Sequence, residues 1–176
     1  MQRRSLLKLG VSGTIALTLV GGGVALVYPP TWRGGRLTQS GRYVLEGIAR
    51  AVLDGSLPGA AGPHAAALVS HLDRMDATLR ALPPPTQHEV ANLLALLATT
   101  PGRLALTGLS ANWAQASVDQ TQAALEGMRT SRLGIRRQAY HALRDLTHAA
   151  YFASPETWRQ LGYPGPVRVT PAILRP

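Results

Sequence analysis

Histidines are the residues with the greatest capacity for chemistry in this chain, which contains five of them. His141, Asp145 and His148 form the best constellation, because spacings of four and three residues place their side chains on one face of a helix. Asp145 then neighbours both imidazoles, where it could form a histidine–carboxylate hydrogen bond or contribute to a metal site. The alternative is a solvated polar face, which the sequence favours because closed metal sites use other ligand spacings.

Motifs for catalysis or cofactor binding are missing from the sequence. The chain has no cysteine, which excludes disulfides, thiolate metal sites, cysteine nucleophiles and covalent haem attachment. There is no Gly-x-Ser-x-Gly elbow, and no Gly-Lys-Ser/Thr follows Gly102 and Gly108 to make a P-loop. We therefore assign no catalytic and no cofactor-binding residue, and we expect a protein that is not an enzyme.

The charge balance is strongly basic, with a formal net charge of +9. Such a charge suggests nucleic acid or an anionic membrane surface as a partner. Arg3, Arg4 and Lys8 lie in the N-terminal segment, however, and every basic residue other than Lys8 is an arginine, which indicates composition bias. No basic stripe is interleaved with aromatic residues, so we do not expect nucleic-acid binding.

The N-terminal segment has the pattern of a bacterial export signal, with a basic start followed by an uncharged, glycine-diluted apolar stretch over residues 9–28. The twin-arginine pattern Arg-Arg-x-hydrophobic-Leu-Lys is matched by Arg3, Arg4, Leu6, Leu7 and Lys8. This route exports proteins that are already folded. The segment therefore predicts localisation in the periplasm or on the periplasmic face of the inner membrane.

The fate of this segment has two possible outcomes. Gly23 and Ala25 provide small residues at positions −3 and −1 of a candidate cleavage site. The alternative is an uncleaved anchor, because residues 9–28 are long enough to span a bilayer as a helix while the basic residues stay cytoplasmic.

The body shows helical periodicity and no sustained alternation of apolar and polar residues. Proline and glycine indicate a linker over 29–37, a helical domain over 38–166 and an extended tail over 167–176. Helices are predicted over 38–53, from Pro63 to Leu82, from Thr86 to before Pro101, from Ser117 to Met128, from Ser131 to Tyr151 and from Ser154 to Gly162, with a helical turn or two over 104–109. The fold class is therefore all-α, a compact, orthogonal or irregular bundle of about five or six helices preceded by an N-terminal signal or hydrophobic helix.

Helix starts and buried faces can also be predicted. Capping boxes are expected at Thr86 with Glu89 and at Ser117 with Gln120, and Ser131 is expected to cap the longest helix. Two apolar stripes are expected to be buried: Leu68, Val69, Leu72, Met75, Leu79 and Leu82 in one helix, and Leu133, Ile135, Ala139, Leu143, Leu146 and Ala150 in the other.

Aromatic residues are scarce, at 5% of the chain, and most lie in its second half. Tyrosine and tryptophan anchor both cores and interfaces. The sequence therefore predicts a docking surface within residues 151–166. The candidate docking residues are Tyr151, Phe152, Trp158 and Tyr163, together with Arg136 and Arg137.

Over about residues 101–166 the chain resembles the gluconate 2-dehydrogenase subunit 3 family, and the earlier helices match that family by pattern only. The resemblance is carried by Ser131-Arg132-Leu133, by Arg136-Arg137-Gln138-Ala139-Tyr140 with Leu143 and Leu146, and by Ala150-Tyr151-Phe152, Pro155, Trp158 and Leu161-Gly162-Tyr163-Pro164-Gly165-Pro166. Members are small helical proteins that often carry a twin-arginine leader.

The resemblance implies a helper role. The chain would be a non-catalytic small subunit and export escort of a periplasmic FAD-dependent dehydrogenase of the glucose-methanol-choline type. FAD would belong to the large partner subunit, which travels folded through the twin-arginine translocase, and the resemblance also allows a cytochrome c subunit as a further partner. The alternative is a stand-alone exported or membrane-anchored helical protein with a structural role.

Overall fold

The computed structural model describes residues 28–160 and 162–165. The predicted export signal (Arg3, Arg4, Leu6, Leu7 and Lys8), the candidate cleavage site (Gly23 and Ala25) and the tail over 167–176 lie outside the described residues.

The described residues are mostly helical, which confirms the all-α expectation at that level. They form a short hairpin followed by seven helices. The elements are β1 (Trp32–Arg33), β2 (Arg36–Leu37), α1 (Gln39–Val52), α2 (Ala61–Arg80), α3 (Pro84–Ala98), α4 (Thr100–Thr107), α5 (Val118–Arg129), α6 (Gly134–Phe152) and α7 (Pro155–Gln160). The number exceeds the expected five or six, because the segment expected as a turn or two is the eight-residue helix α4.

The core surrounds α1, which packs against α2, α3, α5 and α6. Its apolar face carries Val44 and Ile48, both fully buried, at the spacing that the sequence predicts. The largest buried side chain is Trp113, whose indole Nε1 donates to the Leu97 carbonyl over 2.8 Å. Gly47 lies directly beneath it: a Cβ there would come within 3.0 Å of the Trp113 Cβ. A glycine in α1 thus lets the indole pack against the helix backbone.

The segment predicted as a linker over 29–37 contains the hairpin, which the sequence analysis missed. Gly34 and Gly35 take positive φ values of +59° and +74°, which suit a tight two-residue hairpin turn. Leu37 is buried in the core, and its amide donates to the Asp76 carboxylate on α2 over 2.8 Å. The other oxygen of Asp76 accepts from Arg42 over 2.7 Å. The hairpin is therefore fixed to both α1 and α2.

The start of α5 agrees with the cap predicted from the sequence, whereas the starts of α3 and α6 do not. Ser117 and Gln120 form both bonds of the predicted capping box at the start of α5. The box predicted at Thr86 is wrong, because α3 already begins at Pro84. Proline presets φ and lacks an N–H that would need a cap, so the helix starts without one. The cap predicted at Ser131 is also wrong: the N-cap of α6 is Leu133, whose amide donates to the Ser131 hydroxyl.

Two apolar residues predicted to be buried are exposed: Val69 by 58% and Leu133 by 61%. Val69 follows Leu68 by one residue, which rotates its side chain about 100° away from the buried stripe of α2. Leu133 precedes the first turn of α6 and therefore lies off the helix face altogether.

Within residues 28–160 and 162–165, no helix alone has the length and hydropathy to cross a membrane. Only α3 and α4 together reach that length and apolar composition, and a bend of 103° separates them.

Candidate docking surface

The C-terminal end of α6 carries a short helix, α7, folded against it by side-chain hydrogen bonds. The Thr157 hydroxyl lies within 3.2 Å of the Tyr151 carbonyl and 2.7 Å of the Ser154 carbonyl. The Trp158 indole donates to the Phe152 carbonyl over 2.7 Å. These bonds satisfy the last carbonyls of α6 while they position the aromatic residues that follow.

Three aromatic residues lie at this end of the molecule, and we call Phe152, Trp158 and Tyr163 the aromatic edge. The rings of Trp158 and Tyr163 lie edge to face with centroids 5.7 Å apart. The chain turns between them at Gly162, where φ is +68°, and the Tyr163 amide donates to the Trp158 carbonyl. Phe152 is 37% exposed and Tyr163 is 49% exposed. The aromatic edge is thus ordered by internal contacts and still accessible.

Tyr151 does not belong to this surface, although the sequence analysis made it a docking candidate. Its side chain is buried, and its hydroxyl donates to the Ser56 carbonyl in the loop after α1. Burial also raises the pKa of its phenol. Tyr151 follows Ala150 and Thr147 on the buried face of α6, so helical spacing places it in the core.

Arg136 and Arg137, the other docking candidates, lie at the opposite end of α6. The helix has 19 residues, so its two ends are about 27 Å apart. Arg136 donates from Nε to the Leu106 carbonyl over 2.7 Å, and Arg137 donates from Nη1 to the Ser131 carbonyl over 2.6 Å. The structure therefore separates the predicted docking residues into two surfaces.

The predicted His141, Asp145 and His148 constellation does not form a closed cluster. His141 is exposed and lies edge-on to Tyr140, while Asp145 lies 3.3 Å from Arg144. The ring of His148 packs near Phe152, and burial together with Arg144 lowers its pKa. Across the part of the chain that the structure describes, no group of three histidine, aspartate or glutamate side chains is arranged to hold a metal ion.

A cleft of about 340 Å³ opens between α2 and the start of α7, and its lining residue Thr157 directly precedes Trp158 of the aromatic edge in the chain. One wall is the first half of α2, where Pro63, Ala66 and Ala67 have short side chains, and the other wall includes Ser154 and Thr157. The sequence analysis missed this cleft. The sequence feature that could have predicted the cleft is the alanine-rich start of α2, because small side chains on a packed helix leave space at its surface.

The most unusual polar residue in this region is His71, which is fully buried on α2. Its ring centroid is 6.3 Å from that of Tyr151, and neither ring nitrogen has a hydrogen-bond partner within the described part of the chain. Burial, with a smaller effect from Arg74, lowers its pKa to about 4. The sequence analysis did not predict that His71 is buried, although its position between Leu68 and Met75 places it on the buried stripe.

Comparisons with protein-family models, with curated proteins and with solved structures find no match for this chain. The functional assignment therefore depends on the aromatic edge, the cleft beside it and the patterns in the sequence.

Proposed function

We propose that this chain is a non-catalytic small subunit and export escort of a periplasmic FAD-dependent dehydrogenase. The observation that carries the proposal is the aromatic edge, which is held in place by hydrogen bonds of its own backbone and yet remains exposed. An exposed cluster of ordered aromatic rings is typical of the centre of a protein interface. It loses little conformational entropy on binding, because the rings are already positioned.

The cleft next to the aromatic edge supports a protein partner. Its lining combines Pro63, Ala66 and Ala67 with Ser154 and the charged Arg74 and Glu156, so an apolar side chain beside a polar or charged group would fit. A partner that covered both the cleft and the aromatic edge would bury apolar surface around aromatic anchors. This is the arrangement found in interfaces that persist.

The N-terminal sequence supports export of a complex rather than of this chain alone. Arg3, Arg4 and Lys8 match a signal for a pathway that carries folded cargo. That pathway serves proteins that acquire a cofactor before export, and the body behind this signal has no cofactor motif in its sequence. We infer that the cofactor, FAD, belongs to a large flavoprotein subunit that lacks its own signal and binds the escort in the cytoplasm.

The resemblance to the gluconate 2-dehydrogenase subunit 3 family supports the same proposal. It covers about residues 101–166, a segment that contains the aromatic edge. In this proposal the body is an irregular helical bundle behind a signal helix, delivered by the twin-arginine translocase to the periplasm or the periplasmic face of the inner membrane. A cytochrome c subunit is a further partner that the family resemblance suggests.

The aromatic edge is expected to carry the binding of the flavoprotein. Replacing Phe152 and Tyr163 together by serine should weaken the complex more than tenfold, because two exposed anchors of the interface are removed. The measurement is the dissociation constant between the purified full chain and an FAD-dependent dehydrogenase of the glucose-methanol-choline type from the same organism. Leu104→Ser is the matched control, since Leu104 is 44% exposed but lies on α4.

Equal binding by the double variant and the Leu104→Ser control would show that the aromatic edge is not the docking surface. Absence of any complex with the unaltered chain would instead support the stand-alone structural role.

A further inference from the structure

The turn between α5 and α6 forms a second exposed surface, which we call the arginine corner: Arg132, Leu133, Arg136 and Arg137. Leu133 is 61% exposed, more than any other large apolar residue in the described chain. Arg132 and Arg137 are exposed and Arg136 is half-buried. An exposed leucine thus lies within four residues of three arginines along the chain.

Two of the three guanidinium groups are held by bonds to neutral carbonyls: that of Arg136 by the Leu106 carbonyl and that of Arg137 by the Ser131 carbonyl. Arg137 Nη2 lies 3.9 Å from where a Cβ on Gly134 would be, so its head group lies against the start of α6. Hydrogen bonds to carbonyls fix the position of a guanidinium without cancelling its charge.

The positive charge of the arginine corner is not compensated nearby. None of its three arginines forms a salt bridge with another described residue, and the neighbouring Glu126 is bound through both carboxylate oxygens to Arg129. The first turn of α6 contains no acidic residue and has no side-chain cap. The positive end of the helix dipole therefore adds to the charge of the arginines.

We infer that the arginine corner binds an anionic phospholipid surface, with its arginines at the lipid phosphates and Leu133 inserted between head groups. The exposed Leu133 favours a lipid over a free phosphate ion as the ligand, because a free ion has no apolar part for the leucine to contact. Leucine is also a poor N-cap, where serine or aspartate would be preferred, so its presence is better explained by an external contact than by helix stability. Basic residues beside apolar ones are typical of membrane-surface contacts.

This inference concerns a different surface from the flavoprotein contact and does not depend on it. Each basic residue close to an anionic bilayer strengthens binding about fivefold. Replacing Arg132 and Arg137 together by glutamine should therefore weaken lipid binding about 25-fold at low salt, and less at high salt, where the charges are screened. Arg136 is left in place because it also supports α4.

Because the chain has no cysteine, a single cysteine introduced by mutation can be labelled specifically. A Leu133→Cys variant of the full chain is labelled with a polarity-sensitive fluorophore and mixed with vesicles of phosphatidylglycerol and phosphatidylcholine, or of phosphatidylcholine alone. We expect a blue shift with the anionic vesicles only, and its loss in the Arg132→Gln, Arg137→Gln background. A Val69→Cys variant carries the same label at an equally exposed position on α2 and should show no shift. The label reports its own surroundings, so membrane insertion of residues 9–28 does not by itself produce the signal.

A second variant separates binding from folding: Leu133→Ser should weaken binding to anionic vesicles while leaving the midpoint of urea unfolding unchanged or higher. Several results would overturn the inference. They are a shift of equal size with neutral vesicles, a shift with inorganic phosphate alone, no shift with any vesicle, and a shift that needs the flavoprotein instead of lipid.

Discussion

Gly102→Ala is expected to destabilise the fold by about 3 kcal/mol, although alanine is normally the better helix residue. A Cβ at this position would lie 2.7 Å from the Leu96 Cδ1 and closer still to the Leu96 carbonyl oxygen. A backbone oxygen cannot rotate away as a side chain can, so α3 and α4 would have to separate. The sharp bend between these helices depends on that approach, and the Thr99 hydroxyl caps the same turn by accepting from the Gly102 amide.

The matched control is Gly127→Ala in the interior of α5. The nearest atom to a Cβ there is Arg136 Nη2 at 4.0 Å, which is an ordinary contact. This change should stabilise the fold by about 0.5–1 kcal/mol, because alanine loses less backbone entropy than glycine in a helix. Urea unfolding of both variants measures the free energy of unfolding. A Gly102→Ala variant as stable as the Gly127→Ala variant would show that α3 and α4 do not meet as described.

Lowering the pH from 7 to 4 is expected to reduce the free energy of unfolding by about 3 kcal/mol, because the unfolded chain takes up a proton at His71 that the folded chain does not. The folded-state pKa of this group is about 4, below its ordinary value of 6.5, because the buried imidazole is disfavoured in its charged form. Between pH 6.5 and pH 4 the unfolded chain binds a proton at this residue that the folded chain does not. The contribution is therefore complete above pH 6.5, falls as the pH falls through that window, and is lost by pH 4.

The His71→Leu variant should lose correspondingly less stability than the unaltered chain between pH 7 and pH 4. Other groups that titrate are common to both proteins and cancel in the comparison. His88→Leu makes the same change at an exposed imidazole on α3 and should keep the full acid sensitivity. The measurement is urea unfolding at several pH values. Parallel stability curves for His71→Leu and the unaltered chain would mean that this imidazole is not buried as a neutral group.

Much of the fold follows from local signals that act within one helical turn. Ser117 with Gln120 determines the start of α5, and the buried faces of α1 and α6 follow from apolar spacing because each helix contacts its neighbours along one side. All three residues of the aromatic edge lie in the segment singled out for docking, and their docking role stays a prediction. In these places the local preference and the final packing agree.

The remaining features depend on contacts between residues far apart in the chain. The hairpin at Trp32–Leu37 is short, and its docking depends on Asp76, 39 residues beyond Leu37. Spacing within each helix places His71 and Tyr151 on a buried face, but it does not reveal that the two rings meet where α2 crosses the end of α6. The exposure of Leu133 follows from its place before α6 and not on it. Periodicity describes the face of one helix, whereas these features require knowledge of which helices meet.

The export proposal is tested most directly by changing Arg3 and Arg4 to lysine in cells that co-express an FAD-dependent dehydrogenase of the glucose-methanol-choline type from the same organism. Arg33→Lys with Arg36→Lys is the control, because it makes the same substitution at two exposed arginines outside the leader. The quantity measured is the fraction of FAD-containing dehydrogenase recovered from the periplasm. We expect the leader variant to leave both proteins in the cytoplasm and the control to export both. Recovery of the dehydrogenase from the periplasm while this chain stays in the cytoplasm would contradict the escort role.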